Sequence, residues 1–193
     1  MPDTQDPYTY PGTDVLRNIP GIQDPQQLAA FEANATAVRL IELDAAPLAG
    51  RFDIAHLTAI HRHILQDVYS WAGEFRTVNI SKGGHLFGVA RFVESALREV
   101  LRRLPGEQYL AGSDSSRFSK RAGFYLGEIN AIHTFREGNG RAQREFIREL
   151  AIGAGFAIDW SKVAREQMTA ASVASFKSGD SSGMAALIEL TLK

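Results

Sequence analysis

Residues 133 to 144 read His133-Thr134-Phe135-Arg136-Glu137-Gly138-Asn139-Gly140-Arg141-Ala142-Gln143-Arg144 and lie between two segments of helical periodicity. In both segments apolar side chains recur every three or four residues, at Phe118, Ala122, Tyr125, Leu126 and Ile129 before the stretch and at Phe146, Ile147, Leu150 and Ala151 after it. The sequence therefore predicts a helix that ends near residue 133, a short loop, and a second helix that begins near residues 138 to 140.

The loop has the residue types of an anion-binding site. Gly138 and Gly140 let the backbone approach a ligand closely and adopt a positive φ. The N–H groups at the start of a helix, together with the helix dipole, attract negative charge. Arg141 and Arg144 are three residues apart and should project to neighbouring positions, where guanidinium groups suit phosphate oxygens. The loop is therefore predicted to bind phosphate.

Glu137 and His133 add reactive groups to this site. A carboxylate beside a polyphosphate would hold Mg²⁺, which prefers one or two carboxylates together with phosphate oxygens. A histidine side chain ordinarily titrates near neutral pH and can accept a proton there. The set predicts a phosphoryl-type transfer in which His133 activates a hydroxyl group.

The rest of the chain predicts a mainly α-helical protein. Asp24, Asp53 and the segment 113–116 are candidate N-caps for further helices. Apolar stripes at helical spacing are Leu28, Phe31, Ala35 and Val38, then Leu57, Ile60, Ile64 and Leu65, then Phe92, Ala96, Val100 and Leu101. Residues 1–22, rich in turn residues, are predicted to form an N-terminal arm, and residues 23–193 a single domain with two or three short helices after Asp159.

One small β-hairpin is predicted between residues 76 and 88. Residues 76–82 alternate in residue type, Gly83-Gly84 can form the turn, and residues 85–87 supply a second strand. Two strands alone are marginally stable, so this hairpin needs support from the helices.

Composition and charge exclude several classes of protein. The 193 residues include 21 Lys and Arg against 22 Asp and Glu, for a net charge of −1, so no overall field attracts the chain to nucleic acid or to a lipid surface. The absence of cysteine excludes disulfides, cysteine zinc ligands and thiol nucleophiles. No apolar stretch approaches the roughly 18 residues of a membrane span, and residues 1–6 lack the basic start of a secretory signal. These features predict a soluble, cytoplasmic protein.

The stretch 133–144 resembles the signature of the Fic family, His-x-Phe-x-(Asp/Glu)-Gly-Asn-Gly-Arg-x-x-Arg. All eight fixed positions match, a coincidence on the order of 10⁻¹⁰ per start position at average residue usage. Thr134 departs from the proline commonly found there. The segments 60–62, 68–76 and 78–82 also look like Fic segments, so the resemblance covers roughly residues 50–160.

The resemblance implies a helical Fic fold and the transfer of AMP from ATP to a hydroxyl side chain of a target protein. By match, His133 is the base that deprotonates the target, Glu137 binds Mg²⁺, and Phe135 anchors the loop in the core. The implied nucleotide-binding residues are Gly138, Asn139 and Gly140, which form an anion hole around the α- and β-phosphates, and Arg141 and Arg144, which hold the outer phosphates. Phosphate-donating relatives are disfavoured because the Gly-Asn-Gly sequence is intact.

The hairpin over residues 76–88 corresponds to the flap of the family. By resemblance it registers the target protein by pairing with an extended segment, a form of β-augmentation. Lys82 and Gly83 in this hairpin are further candidates for contact with the nucleotide.

The pattern of the family's inhibitory helix is not found in this sequence, which predicts how the chain is regulated. That helix reads (Ser/Thr)-x-x-x-Glu-(Gly/Asn), whereas here only Glu137 precedes Gly or Asn, and His133 lies four residues before it. The chain therefore resembles toxins whose inhibitor is a separate small antitoxin, and Arg144 would receive the antitoxin's glutamate. Some such toxins modify the ATPase subunits of DNA gyrase and topoisomerase IV, which kinship makes the candidate targets.

Two alternative functions remain open. A catalytically silent Fic module would keep the fold and bind a partner through the hairpin. The other alternative has related chemistry, either a Fic enzyme that uses a different nucleotide or phosphate donor or a translocated effector. Intact His133, Glu137 and Arg144 favour catalysis. A metal site at His61 and His63 is disfavoured, since residues two apart do not face each other on a helix.

Overall fold

The computed structural model describes residues 6–82 and 84–193. In this part of the chain the secondary structure is mainly helical, as the sequence predicts. The α-helices are α1 (Pro25–Ala45), α2 (Ile54–Leu65), α3 (Val93–Leu101), α4 (Ser115–Ile132), α5 (Asn139–Gly153), α6 (Arg165–Ser178) and α7 (Ser182–Thr191). Short 3₁₀ turns cover Ala90–Phe92, Pro105–Leu110 and Trp160–Lys162. None of the described helices combines the length and the apolarity that crossing a membrane requires.

Aspartate side chains begin three of these helices. Asp24 accepts hydrogen bonds from the N–H groups of residues 26 and 27, Asp53 from that of His56, and Asp114 from that of Arg117. Each carboxylate satisfies N–H groups that have no acceptor within the helix and also lies favourably in the dipole field. The helix starts predicted at Asp24, at Asp53 and within 113–116 are therefore confirmed.

The core forms around α4, which packs against α3, α5, α6 and α7, while α5 also packs against α2. Side chains from the predicted stripes of α2, α4 and α5 are fully buried, namely Leu57, Ile60, Phe118, Ala122, Tyr125, Ile129, Phe146, Ile147 and Leu150. The sequence pattern thus identified the elements that hold the loop 133–138 between α4 and α5.

Two predicted core residues are exposed instead. Val38 is 56% exposed because α1 turns Leu28, Thr36 and Leu43 to the core. Thr36 can be buried there because its hydroxyl donates to the Glu32 carbonyl oxygen. Phe92 is 53% exposed at the end of the turn before α3.

The described part of the N-terminal arm is fastened to the domain. Thr9 and Leu16 form an isolated antiparallel bridge, and the Ile19 N–H donates to the Val68 carbonyl oxygen. The Tyr8 ring meets the Trp71 ring edge-on at 5.5 Å. The arm is therefore irregular, as predicted, but it packs on the same core.

Only a short antiparallel pairing is present within the predicted hairpin. Strand β1 (Ser81–Lys82) pairs with β2 (His85–Leu86), and Ser81 lies opposite Leu86. Gly83 lies outside the described residues. A β-flap that runs the full length of residues 76–88 is therefore not seen.

Candidate active site

The loop between α4 and α5 has two left-handed residues at its ends. His133 caps the C-terminus of α4 with φ 52° and ψ 68°, and Gly138 precedes α5 with φ 76°. A left-handed conformation is uncommon for residues other than glycine, although histidine adopts it more readily than most. The predicted helix–loop–helix arrangement is confirmed, and it brings His133 to the rim of a cavity.

The His133 ring is oriented by a carbonyl oxygen and an aromatic ring. Its Nδ1 lies 3.2 Å from the Asn130 carbonyl oxygen, and the ring stacks on Phe87 at 3.8 Å. A carbonyl oxygen can only accept, so Nδ1 carries the proton in the neutral ring and Nε2 carries the lone pair. The ring therefore has the tautomer that a general base acting through Nε2 requires.

A cavity of 1230 Å³ opens beside this loop, which exceeds the roughly 300–1,000 Å³ of ordinary ligand sites. It lies among α1, α5, α6 and the short hairpin. Its lining includes His133, Glu137, Asn139, Gly140, Arg141 and Arg144 from the loop and α5, and Trp160, Val163, Met168, Val173 and Phe176 from the segment that follows. The polar loop and the apolar wall of α6 share one cavity, although no sequence pattern predicted the apolar wall.

Asn139 stabilises the loop through its side chain. Its Oδ1 accepts from the Phe135 N–H at 2.8 Å, and its Nδ2 donates to the Phe135 carbonyl oxygen at 2.7 Å. The side chain thus holds the loop, and the predicted anion-hole role is assigned to the backbone N–H. The N–H groups of Asn139 and Gly140 have no acceptor within the described residues, so the start of α5 offers two backbone donors at the cavity.

Gly138 is not among the residues that line the cavity, and its role in binding nucleotide stays a prediction. A Cβ at this position would lie 2.2 Å from Leu65 Cδ1, and the Gly138 N–H is donated to Glu137 Oε1 at 2.9 Å. Glycine is needed there because the backbone packs directly on α2 with a positive φ. Gly138 thus shapes the loop, whereas Asn139 and Gly140 supply its unpaired N–H groups.

The Glu137 carboxylate is 47% exposed and faces the cavity. Besides the Gly138 N–H, its nearest charged neighbour is Arg141 Nη2, 3.6 Å from Oε1. No group of three or more histidines and acids that could hold a metal unaided occurs in the described residues. A single accessible carboxylate fits Mg²⁺, which binds through one or two carboxylates plus substrate phosphates and water.

Arg141 and Arg144 both line the cavity, but different neighbours hold their guanidinium groups. Arg141 Nη2 donates to Glu32 Oε1 on α1 at 2.5 Å and Nη1 donates to Thr36 Oγ1 at 3.1 Å. The Arg144 guanidinium lies over Gly140, with Nη1 3.2 Å from the position of a Gly140 Cβ. It has no acceptor in the described part of the chain, and burial and the neighbouring Arg141 lower its pKa. Arg144 is therefore a cation ready for an anionic ligand.

His61 supports the loop from below. Its Nδ1 accepts from the Gly73 N–H at 2.8 Å, its Nε2 lies 2.9 Å from the Glu137 carbonyl oxygen, and its ring stacks on Phe135 at 3.6 Å. This supporting role of His61 was not predicted, because nothing in the sequence pattern shows which partners a buried histidine finds. Phe135, 1% exposed, anchors the loop as the resemblance implies.

We expect His61 to make the fold sensitive to acid. Burial, above all, lowers the pKa of His61 to about 4, helped by the charge of Arg141 and opposed by the hydrogen bond with the Glu137 carbonyl oxygen. Since the folded pKa lies below the ordinary 6.5, the unfolded chain binds the extra proton, and stability present above pH 6.5 is lost as the pH falls towards 4. The loss should be on the order of 3 kcal/mol. Chemical denaturation of the parent and of His61→Asn between pH 4 and 7.5 gives the free energy of unfolding at each pH. If this free energy falls equally with pH in both proteins, the prediction is wrong.

Arg76 is a second residue whose structural role was not predicted from the sequence. It is 2% exposed, and its guanidinium donates to the carbonyl oxygens of His133 (2.7 Å), Val78 (2.7 Å), Ile132 (3.1 Å) and Gly88. It thus joins both ends of the hairpin segment to the end of α4.

Thr134 stands where members of the family commonly have proline. It is buried, at 1% exposed, and its hydroxyl makes no hydrogen bond to the described residues. Because an unsatisfied buried hydroxyl is unfavourable, Thr134→Val should raise the free energy of unfolding by about 1 kcal/mol. Urea denaturation measures this change. Thr191→Val is the matched control, since the buried Thr191 hydroxyl donates to the Ile188 carbonyl oxygen and its loss should destabilise. A loss of stability in Thr134→Val would contradict the prediction.

The two flap candidates could not be placed. Gly83 and the side chain of Lys82 lie outside the described residues, so their predicted contact with a nucleotide stays a prediction.

Comparison with known proteins identifies relatives over nearly the whole chain. The model of the Fic/DOC family matches residues 51–151. "Protein adenylyltransferase VbhT" of Bartonella schoenbuchensis is 44% identical over 189 residues, which are 98% of this chain and 39% of that protein. "Probable protein adenylyltransferase y4lH" of Sinorhizobium fredii is 42% identical over 185 residues, which cover 95% of this chain and 94% of that protein. The chain thus spans well under half of the first relative and nearly all of the second.

Solved structures share the fold. The VirB-translocated effector BepC of Bartonella tribocorum, with bound AMPPNP, has a TM-score of 0.91 at 26% identity, and the match covers 96% of each chain. The N-terminal Fic domain of a Bartonella quintana effector, with bound ADP, has a TM-score of 0.92 at 28% identity over 96% of this chain and 94% of that one. Both resemble this chain along almost its full length.

Proposed function

The chain belongs to the Fic/DOC family, and from this premise we propose that it is a protein adenylyltransferase that transfers AMP from ATP to a hydroxyl side chain of a target protein. Relatives of 37–44% identity bear that name, and two proteins of similar structure hold AMPPNP and ADP. The observation that carries the proposal is that His133 Nε2, the Glu137 carboxylate, the Arg144 guanidinium and two unpaired N–H groups share one cavity.

In the proposed reaction His133 Nε2 accepts the proton of the target hydroxyl. The hydroxyl oxygen attacks the α-phosphorus of ATP, the bond from that phosphorus to the bridging oxygen breaks, and its electron pair leaves with pyrophosphate. The N–H groups of Asn139 and Gly140 lie where a helix start stabilises negative charge on the phosphates. The Arg144 guanidinium, for which residues 6–82 and 84–193 supply no acceptor, is the side chain suited to the outer phosphates.

Glu137 is the residue proposed to hold Mg²⁺. The bound ion would neutralise charge on the phosphate oxygens and the leaving group. The chain's own part is to present an accessible carboxylate, fixed through Oε1 by the Gly138 N–H, beside the unpaired N–H groups of α5.

Target binding and regulation extend the proposal. The target would dock on the short hairpin, near Lys82 and Gly83, and the ATPase subunits of DNA gyrase and topoisomerase IV are the candidate targets. A small antitoxin carrying (Ser/Thr)-x-x-x-Glu-(Gly/Asn) would place its glutamate on Arg144. The lack of an acceptor for this guanidinium within the described part of the chain supports the idea. The cytoplasmic location and the absence of nucleic-acid or membrane binding stay predictions.

The position of the label in ATP tests the proposal. The purified chain, Mg²⁺ and either gyrase or topoisomerase IV subunits, or a cell lysate, are incubated with ATP labelled at the α- or the γ-phosphate. Label on a protein from the α-position alone is the expected result. Label from the γ-position would show phosphorylation instead, and no label from either would favour the catalytically silent module. A separate arm with the antitoxin peptide should suppress labelling.

A further inference from the structure

The motif arginine Arg141 is held by a cluster on α1 and by a core tyrosine. Glu32 Oε1 accepts from Arg141 Nη2 at 2.5 Å, and Thr36 Oγ1 accepts from Nη1 at 3.1 Å. The Tyr69 hydroxyl donates to the other oxygen of Glu32. Both oxygens of the Glu32 carboxylate are therefore engaged, one by a cation and one by a phenol.

The tyrosine fixes the carboxylate in place. Tyr69 is 2% exposed, and its ring stacks on Trp71 at 4.3 Å. Burial, together with the hydrogen bond to Glu32, raises the pKa of Tyr69 well above its usual range, so its hydroxyl remains a donor. The Glu32 side chain is 16% exposed, and a charge-assisted bond in such a partly buried setting is stronger than one at the surface.

Arg141 has a second carboxylate within reach. Its Nη2 lies 3.6 Å from Glu137 Oε1, and the 2.5 Å contact with Glu32 is much the shorter. At 3.6 Å the two groups already form an ion pair without a hydrogen bond, and a small rotation of the guanidinium away from α1 would shorten it to a hydrogen-bonded one. The shorter ion pair would occupy a carboxylate oxygen and further offset the negative charge with which Glu137 attracts a cation.

We propose that Glu32 is a positioning residue, which holds Arg141 on α1 and so leaves the Glu137 carboxylate available to a divalent cation that binds together with a nucleotide. The inference rests on the proposed function, because it takes Glu137 as the metal-binding residue. It assigns a role to a residue that lies 109 positions before Arg141 in the chain and outside the motif.

Glu32→Gln is the variant that tests the inference. A glutamine has one acceptor oxygen, so it cannot accept from both Arg141 and Tyr69, and it carries no charge to retain the guanidinium. The concentration of Mn²⁺ needed for half-maximal binding of AMPPNP should rise about fivefold to tenfold, in line with the loss of one charge-assisted hydrogen bond. Electron paramagnetic resonance of free Mn²⁺ and calorimetry of AMPPNP binding measure this Mn²⁺ requirement without depending on catalysis.

Further variants separate positioning from a loss of folding. Glu42→Gln, on the same helix as Glu32, removes the contacts of that carboxylate with Arg39 and with His63 of α2, and its Mn²⁺ requirement should equal that of the parent. In an Arg141→Met background there is no guanidinium to hold back, so adding Glu32→Gln should leave the Mn²⁺ requirement unchanged. Circular dichroism melting shows which variants are folded. If Glu32→Gln does not fold, Tyr69→Phe replaces it in the test. Because this variant removes only one bond to Glu32, its Mn²⁺ requirement should rise less.

The outcomes distinguish this inference from the proposed function. If the parent binds Mn²⁺·AMPPNP and Glu32→Gln binds it with the same Mn²⁺ requirement, the positioning role is overturned while the proposed function stands. If the shift persists without Arg141, Glu32 does not act through Arg141 and the inference is also overturned. If the parent binds no Mn²⁺·AMPPNP, both proposals fail.

Discussion

Replacing His133 with alanine is expected to slow AMP transfer by about 10²–10⁴-fold, the range of a general base. The Asn130 carbonyl oxygen near Nδ1 leaves Nε2 as the basic nitrogen of this ring, and alanine supplies no group that can take the proton of the target hydroxyl. Binding of AMPPNP should change little, because the proposed phosphate contacts come from α5. Initial rates of label transfer from α-labelled ATP measure the first effect, and calorimetry measures the second.

His63→Ala is the matched control for this variant. His63 lies on α2, where its Nε2 is 3.0 Å from Glu42, and it does not line the cavity. Its rate should therefore equal that of the parent. If His133→Ala kept a tenth of the rate or more, the role of His133 as the base would be wrong.

The sequence predicted those parts of the fold that depend on neighbouring residues. The aspartate caps and apolar stripes located α1, α2, α4 and α5 because capping and helical periodicity are local properties. The same locality placed His133 and Asn139 at the two ends of one loop. The prediction that Val38 is buried was wrong. Helix α1 has apolar residues on several faces, and the face that packs on the core does not include Val38.

Contacts between distant segments could not be predicted. Spacing alone placed Arg141 and Arg144 at neighbouring positions, but it could not show that Glu32 on α1 holds Arg141. It also could not show that Gly138 packs closely on Leu65, and the predicted contact of Gly138 with phosphate stays a prediction. Both contacts join segments that are far apart in the chain, and the spacing of residues in a single sequence does not show which distant side chains meet.

Arg76 is the clearest case of a distant contact that holds the site together. Its buried guanidinium makes no ion pair in the described residues and instead donates to four carbonyl oxygens. The carbonyls of Ile132 and His133 belong to the C-terminal end of α4, where the negative end of the helix dipole favours a cation. The carbonyls of Val78 and Gly88 flank β1 and β2. Burial lowers the pKa of Arg76, and the four acceptors offset that unfavourable burial.

Arg76→Met is therefore expected to lower the free energy of unfolding by about 3–4 kcal/mol. Methionine fills the volume but leaves buried carbonyl oxygens without donors, each of which is unfavourable by about 1–3 kcal/mol, with partial relief as the hairpin segment rearranges. Arg76→Lys keeps the charge but cannot reach all four oxygens, so its loss should be intermediate. Guanidinium chloride denaturation measures both. Arg98→Met, which breaks an exposed pair with Glu94, should change stability by less than about 0.5 kcal/mol. Equal stabilities of the Arg76 and Arg98 variants would mean that the hairpin segment and the end of α4 are held by other contacts.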